Sequence, residues 1–285
     1  MTSTTLREIR PGKSPRPEQS PLSGCWLSVI LPTLNEARVI GQTLDSVIQG
    51  AGQQAMQLIV ADGGSVDETR EIARAKGALV KHSEPGRSRQ MNAGAEAACG
   101  NVLLFLHADT HLPNDYPILI RQILEQTEII CGAFDLGIDA KGWKMRVIEW
   151  AVNQRCRWLS MPYGDQALFM RSTTFTRLGG YPDIPVLEDY ELIRRVKRLG
   201  PIGIVGTRVK TSARRWRRQR VMCATLTNQM CIIGYHLGVS PRRLAAWRDD
   251  RCVSRTANNG QIHDAGSDHW SGRADRAGVA GSVGK

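Results

Sequence analysis

Several clusters of side chains in this sequence have the types and spacing to do chemistry. Val60-Ala61-Asp62-Gly63-Gly64-Ser65-Val66-Asp67 sets an acid at the end of an apolar run, followed by two glycines. Such a carboxylate can accept hydrogen bonds from a base or ribose, and glycines let the backbone approach a ligand. The same pattern also builds a plain turn. The spacing predicts that Asp67 caps a helix and leaves Asp62 between turn-opening and ligand binding. His107-Ala108-Asp109 closes another apolar run. A carboxylate with diphosphate oxygens suits Mg²⁺ or Mn²⁺, and the imidazole leans towards Mn²⁺. An ion there would bind a donor diphosphate and offset leaving-group charge. Taken alone, an H-x-D is more often an ordinary strand end.

Gly86-Arg87-Ser88-Arg89-Gln90 places two arginines at a helix start. Helix N-termini attract phosphate, and cations there carry a small cost that an anion would remove. Solvated surface arginines are the ordinary alternative. Glu188-Asp189-Tyr190-Glu191 begins a helix after a proline-containing loop. A carboxylate there can act as general base on an acceptor hydroxyl, although acids are also common in a first helical turn. Gly164-Asp165-Gln166 adds a further carboxylate ahead of a strand.

These residues need a frame, and hydrophobic patterning predicts one. Leu27–Leu31, Leu58–Ala61, Ala78–Val80 and Val102–Leu106 read as short apolar strands. Helical patterns follow Asn35-Glu36, ending at Gly50 and Gly52, and run from Asp67 to Ala75 and from Arg87 to Ala98. Strands that are apolar throughout and alternate with helices predict an α/β fold, a mostly parallel sheet covered by helices. Ligands of such sheets bind beyond the carboxyl ends of the strands. Thr33, Glu36, Asp62, His107 and Asp109 all fall there. The second half is less regular: a strand or strand pair over 129–138, a strand over Gln166–Met170, a helix over Glu188–Arg198 and a strand over Ile202–Val205.

The 285 residues, 41% hydrophobic, can bury a real core. Residues 1–24 and 249–285 have the composition of disordered segments. Between them we expect a domain over 25–210 and basic and apolar helices over 211–248. The net charge of +11 favours anionic partners. Seven cysteines without a C-x-x-C pair argue against a zinc site or a disulfide framework and for a reducing cytoplasm. Residues 221–241 contain no Asp, Glu, Lys or Arg. Their polar residues favour a packed or interfacial helix over a spanning one, with the arginines of 214–220 available to the inner face of an anionic membrane.

In this order, the pieces resemble family-2-type glycosyltransferases of the GT-A fold. Within them the chain is similar to a small bacterial branch with HAD, YGDQ and SARRW segments, some of whose members are named for arsenosugar biosynthesis. The resemblance covers about residues 27–248. It implies an inverting glycosyl- or hexosyltransferase that uses a UDP- or GDP-sugar, a divalent metal and an unidentified acceptor. Thr33, Glu36 and Asp62 then serve the base and ribose, and Arg87 and Arg89 the ribose and diphosphate. Asp109 ligates the metal, with His107 where relatives carry the first Asp of a D-x-D triplet. Asp189 is the base, Asp165, Gln166 and Glu188 lie on the acceptor side, and Arg215-Trp216 closes over the diphosphate.

Two other classes compete. A nucleotidyltransferase would want a Gly-rich loop with Lys or Arg after the first strand, where this chain has Pro32-Thr33-Leu34-Asn35-Glu36. An inactive nucleotide-binding or membrane-surface protein would explain the arginines but not Asp62, Asp109 and Asp189. No nucleic-acid partner is expected.

Overall fold

A computed structural model describes residues 25–212 and 221–248. The expected disordered ends and the Arg215-Trp216 element lie outside the described residues, as do the arginines of 214–220.

The four expected strands form as β1 (Leu27–Thr33), β2 (Met56–Asp62), β3 (Leu79–His82) and β4 (Val102–Phe105). They run parallel in the order β3-β2-β1-β4. Between them lie α1 (Ala37–Ala51), α2 (Thr69–Ala75) and α3 (Arg87–Glu96). β4 is buried throughout and β1 nearly so, as uninterrupted apolar runs require. β3 is the edge strand and is mostly exposed, ending in Lys81-His82. α1 buries Ile40, Leu44 and Val47 at helical spacing. Gly52, at φ 58°, ends that helix. Gly50, read in the sequence as part of the stop, lies inside the last turn. A Cβ on it would come 2.8 Å from the Pro113 carbonyl oxygen, so it provides room rather than a stop.

The second half is richer than its patterning. It comprises β5 (Thr110–His111), α4 (Tyr116–Glu125), β6 (Cys131–Asp139), α5 (Trp143–Leu159), β7 (Phe169–Arg171), α6 (Ser172–Arg177), α7 (Glu188–Val196) and β8 (Ile202–Ser212). The sheet continues from β4 through β7, β6 and β8 to β5. β7 pairs antiparallel with both β4 and β6, β8 parallel with β6, and β5 antiparallel with β8. The parallel expectation therefore holds for β1 to β4, where strand–helix alternation enforces it, and gives way to mixed pairing beyond. The strand expected from Gln166 starts only at Phe169, because Gly164–Gln166 is a 3-10 turn and Ala167 is left-handed at φ 50°. β8 continues past the expected boundary at 210.

Two apolar layers sandwich the sheet. One includes Leu31, Leu44, Val60, Leu104 and Tyr116. The other includes Ile30, Ile59, Met91, Phe105, Phe175, Tyr181 and Leu192. In the second, Phe105 meets Phe175 at 5.0 Å and Tyr181 at 5.1 Å between ring centroids.

β1 and β4 part company partway along. Their pairing stops at Ile30 and Phe105, with Leu106 N–H donating to the Ile30 carbonyl. β1 stays paired with β2 as far as Thr33 and Asp62. Backbone groups alternate sides along a strand, so Pro32 turns its nitrogen to the β4 side, where no rung remains to be lost. The sheet thus opens a crevice where strand order reverses, the favoured ligand position of open α/β sheets.

The chain divides into two compact units after Val221. All but the first residue of α8 (Val221–His236) lies in the second; the helix ends before Gly238 at φ 84°, and a further helix spans 241–248. Gly234 lets the two approach: a Cβ there would be 2.8 Å from Leu244. No helix among the described residues is long and apolar enough to cross a membrane.

Candidate active site

The loops after β1 and β2 are laced together. Asp62 is fully buried. Its Oδ1 accepts the N–H groups of Gly64 (3.1 Å) and Ser65 (2.9 Å), and its Oδ2 accepts the hydroxyls of Thr33 (3.3 Å) and Ser65. In this state Asp62 is built into the turn. Asn35, left-handed at φ 55°, donates its N–H to Ser65 Oγ and accepts from Val66 N–H through Oδ1. Glu36 N–H donates to Thr69 Oγ1 at 2.8 Å. Asp67 holds two helix starts, accepting from Thr69 N–H in α2 and from Ala37 N–H in α1, both at 3.1 Å. The sequence predicted the first of these contacts only.

Gln90 completes this frame. Its buried amide donates to the carbonyls of Thr33 (2.6 Å) and Ala61 (3.0 Å), beside the last β1–β2 rung. Gly63 leaves the space, since a Cβ there would lie 3.0 Å from Gln90 Nε2. Both α3 arginines face acids from the second half of the chain. Arg87 lies 3.7 Å from Glu188, and Arg89 forms an exposed paired contact with Asp183 at 3.0 and 3.1 Å.

The His107–Asp109 triplet follows β4, and each carbonyl is tied to a different group. His107 O accepts from Thr110 N–H (3.1 Å), Ala108 O from the Thr43 hydroxyl (2.7 Å) and Asp109 O from Ser212 N–H (2.9 Å). The backbone under the two side chains is therefore fixed by α1, β5 and β8. No group of three or more His, Cys, Asp or Glu able to hold a metal occurs among the described residues. One carboxylate and one imidazole fit an ion such as Mg²⁺ or Mn²⁺ that takes its other ligands from substrate phosphate and water.

Asp189 opens α7 after Leu187, which is left-handed at φ 66°. Gly164 lies directly against it: a Cβ on Gly164 would be 2.9 Å from Asp189 Oδ1 and nearer still to Oδ2. Asp189 Oδ1 and Asp165 Oδ1 are both buried without a hydrogen-bond partner among the described residues. Burial, then the neighbouring Glu188 charge, pushes the Asp189 carboxyl up to about 7; Arg87 opposes this, Asp165 adds to it and the Gly164 N–H opposes it. A carboxyl balanced near neutrality can take a proton and later release it. Tyr181 borders the same group, and burial raises its phenol well above the usual range.

Gln166 is tied into the frame of this turn. It is fully buried. Its Nε2 donates to Phe134 O (3.0 Å), while Oε1 accepts from the Cys156 thiol (2.9 Å) and Tyr163 N–H (3.3 Å). It holds the Tyr163–Asp165 turn in place. Arg155 adds a stacking contact, its guanidinium 4.0 Å from the centre of the Tyr163 ring.

The fold therefore gathers Thr33 and Asp62 at the β1 and β2 ends, His107 and Asp109 beyond β4, and Arg87, Asp165, Glu188 and Asp189 in a third group. Sequence reasoning missed Gln90, Ser65, Tyr181 and the role of Gly164. Gly164, directly before an acid in a turn, offered a signal. Gln90 offered none, being one polar residue in a polar helix.

Residues 28–181, more than half of the chain, match the description "Glycosyl transferase family 2". The glucosyl-3-phosphoglycerate synthase of Mycobacterium tuberculosis is 31% identical over 120 residues, 39% of this chain and 36% of that protein. A PGL/p-HBAD biosynthesis glycosyltransferase of Mycobacterium bovis is 41% identical over 93 residues, 30% of this chain and 36% of that one. The chain thus matches little more than a third of the length of either relative. Among solved structures, the M. tuberculosis synthase in complex with Mn²⁺, UDP and phosphoglyceric acid superposes with a TM-score of 0.52 at 21% identity, covering 76% of this chain and 78% of that one. S. aureus TarS superposes with a TM-score of 0.53 at 16% identity, covering 66% of this chain and 36% of that one. Matched from β1 through Tyr181 and superposing on enzymes of the GT-A fold, the chain belongs to glycosyl transferase family 2.

Proposed function

We propose that the protein transfers a sugar from a nucleoside-diphosphate sugar to an acceptor hydroxyl, with inversion at the anomeric carbon. The observation that carries this reading is the buried, unpartnered Oδ1 of Asp189, poised near neutrality beside Asp165. Asp189 takes the proton of the acceptor hydroxyl. That oxygen attacks the anomeric carbon opposite the diphosphate, and the bond from that carbon to the diphosphate breaks, its electron pair leaving with the nucleotide. Thr33, Glu36 and the Asp62 turn shape the base and ribose site. Arg87 and Arg89 lie towards the diphosphate, with Arg215 and Trp216 assigned to the same group. Asp165 and Glu188 border the acceptor. Asp109, with His107, would hold a divalent ion, Mn²⁺ or Mg²⁺, that supplies charge neutralisation on the diphosphate when bound.

TarS has been solved with UDP-GlcNAc and the synthase with UDP and Mn²⁺, which makes UDP-sugars the first donors to test, ahead of GDP-sugars. A reducing cytoplasm suits the chain, because the Cys156 thiol is itself part of the acceptor-side frame. The test is nucleoside-diphosphate release from a panel of UDP- and GDP-sugars with Mn²⁺ or Mg²⁺, followed by NMR assignment of the product anomer. Metal-dependent release with an inverted anomer is expected. No turnover, together with no nucleotide-induced rise in melting temperature, would leave the reading without support.

A further inference from the structure

α5 carries a second apolar face that the domain does not use. Its inner side is occupied: Met145, Ile148 and Val152 pack on Leu136 and Ile138 of β6, and the Asn153 amide pairs with both the N–H and carbonyl of Leu136. On its outer side Trp143 is 72% exposed, Val147 53%, Trp150 62% and Trp158 80%. At about 3.6 residues per turn these four fall within a sector roughly 80° wide. Single exposed apolar residues are ordinary; three tryptophans in one line are a patch with a purpose.

The charges beside the stripe have one sign. Arg146 and Arg157, each about half exposed and paired inward, lie along one flank, and Lys144 along the other, 5.8 Å from the centre of the Trp143 ring. Residues 131–160 contain three acids. Two are buried and paired: Asp135 of β6 with Arg157, and Glu149, on the inner side of α5 itself, with Arg146 and Arg208. The third, Asp139, ends β6 before the helix begins. The outer surface of α5 thus presents indole rings bordered by cations.

We infer that this face docks on the interface of an anionic lipid bilayer. Tryptophan favours the headgroup level of a membrane, long basic side chains reach from there to lipid phosphates, and an amphipathic helix with this arrangement lies in the interface plane. The same charges count against a second copy of this chain as the occupant, since two such faces would bring like charges together. α5 also touches the acceptor-side turn through Arg155 on Tyr163 and Cys156 on Gln166. Docking would therefore place that turn close to the membrane surface. The inference uses residues outside the transfer machinery and stands or falls separately from it.

Flotation of the full chain with phosphatidylcholine vesicles, with and without phosphatidylglycerol, tests the idea. The wild type is expected to float with the phosphatidylglycerol vesicles at low salt. Its tryptophan emission should shift to the blue and be quenched by brominated lipid. The triple variant W143A/W150A/W158A should lose at least about tenfold in partitioning while keeping its melting temperature and its response to nucleotide. The variant K144E should weaken binding to the anionic vesicles with its indoles intact. Unchanged partitioning of the triple variant overturns the inference, as does a wild type that ignores anionic vesicles. It is equally overturned if the wild type is a dimer that the tryptophan changes convert to a monomer.

Discussion

Asp62 and Asp189 are both acids at the carboxyl edge of the sheet, yet their surroundings are opposite. Asp62 has four donors on its two oxygens, all from its own loop pair. Asp189 has a buried oxygen with none among the described residues and two further carboxylates for neighbours. The first arrangement removes freedom and builds a rigid floor between β1 and β2. The second stores an unfavourable charge until something shares its proton. A buried polar atom without a partner costs about 1–3 kcal/mol, more when charged, so a fold keeps one only where another gain offsets it. Comparing the two regions separates residues that shape the loop frame from those that we propose react beside it.

The comparison can be broken most sharply at Asp189. Asp189→Asn should lower kcat by roughly 10²–10⁴-fold, the usual share of a general base, and should also stabilise the fold. Burial, then the Glu188 charge, holds the folded carboxyl up at about 7, well above the ordinary aspartate range near 4. Between those values the folded state binds more protons than the unfolded one, so wild-type stability falls as pH rises through that window. The variant escapes this, by on the order of 2–4 kcal/mol at pH 8, and its advantage should vanish below about pH 4. Urea unfolding at the two pH values measures it; a destabilised variant at pH 8 would make Asp189 a structural residue like Asp62.

Gly164→Ala comes next. The added methyl displaces the Asp189 carboxylate, so kcat should drop by roughly 10²-fold for a shift of about 1 Å, with the donor KM little changed in steady-state assays. Asp62→Ala should behave in the opposite sense. It strands the Gly64 and Ser65 N–H groups and two hydroxyls, costing roughly 2–4 kcal/mol in urea and weakening nucleotide binding through the loop rather than the chemistry. The smallest effect belongs to Arg87→Met. Arg87 holds the Asp189 carboxyl down, so its loss should move the midpoint of the kcat/KM profile to higher pH; a shift to lower pH would contradict the arrangement.

The parallel half of the fold was legible because β1, β2 and β4 are largely buried on both faces and so write themselves as apolar runs. β1, β2 and β4 end within one or two residues of where the runs end. α5 was not legible because its outward tryptophans blur the periodicity that its inward face alone would show. β8 was underestimated because its second part, from Gly206 to Lys210, is mostly exposed and reads as polar. Among the site residues, types and strand-end positions were readable, while the distinction between Asp62 and Asp189 was not. That distinction depends on donors contributed from distant parts of the chain, such as Thr33 to Asp62, and on burial by elements such as the Gly164 turn.

Pro32 has a dynamic consequence. A strand lacking an amide hydrogen on the side facing β4 has no donor for the next rung, which disfavours extending the ladder across the crevice. The binding-competent arrangement of that edge is then the resident population, not a minor state that a ligand must select. A nucleotide entering there should meet no conformational penalty on its apparent affinity, and its association should follow a single phase whose rate is linear in concentration.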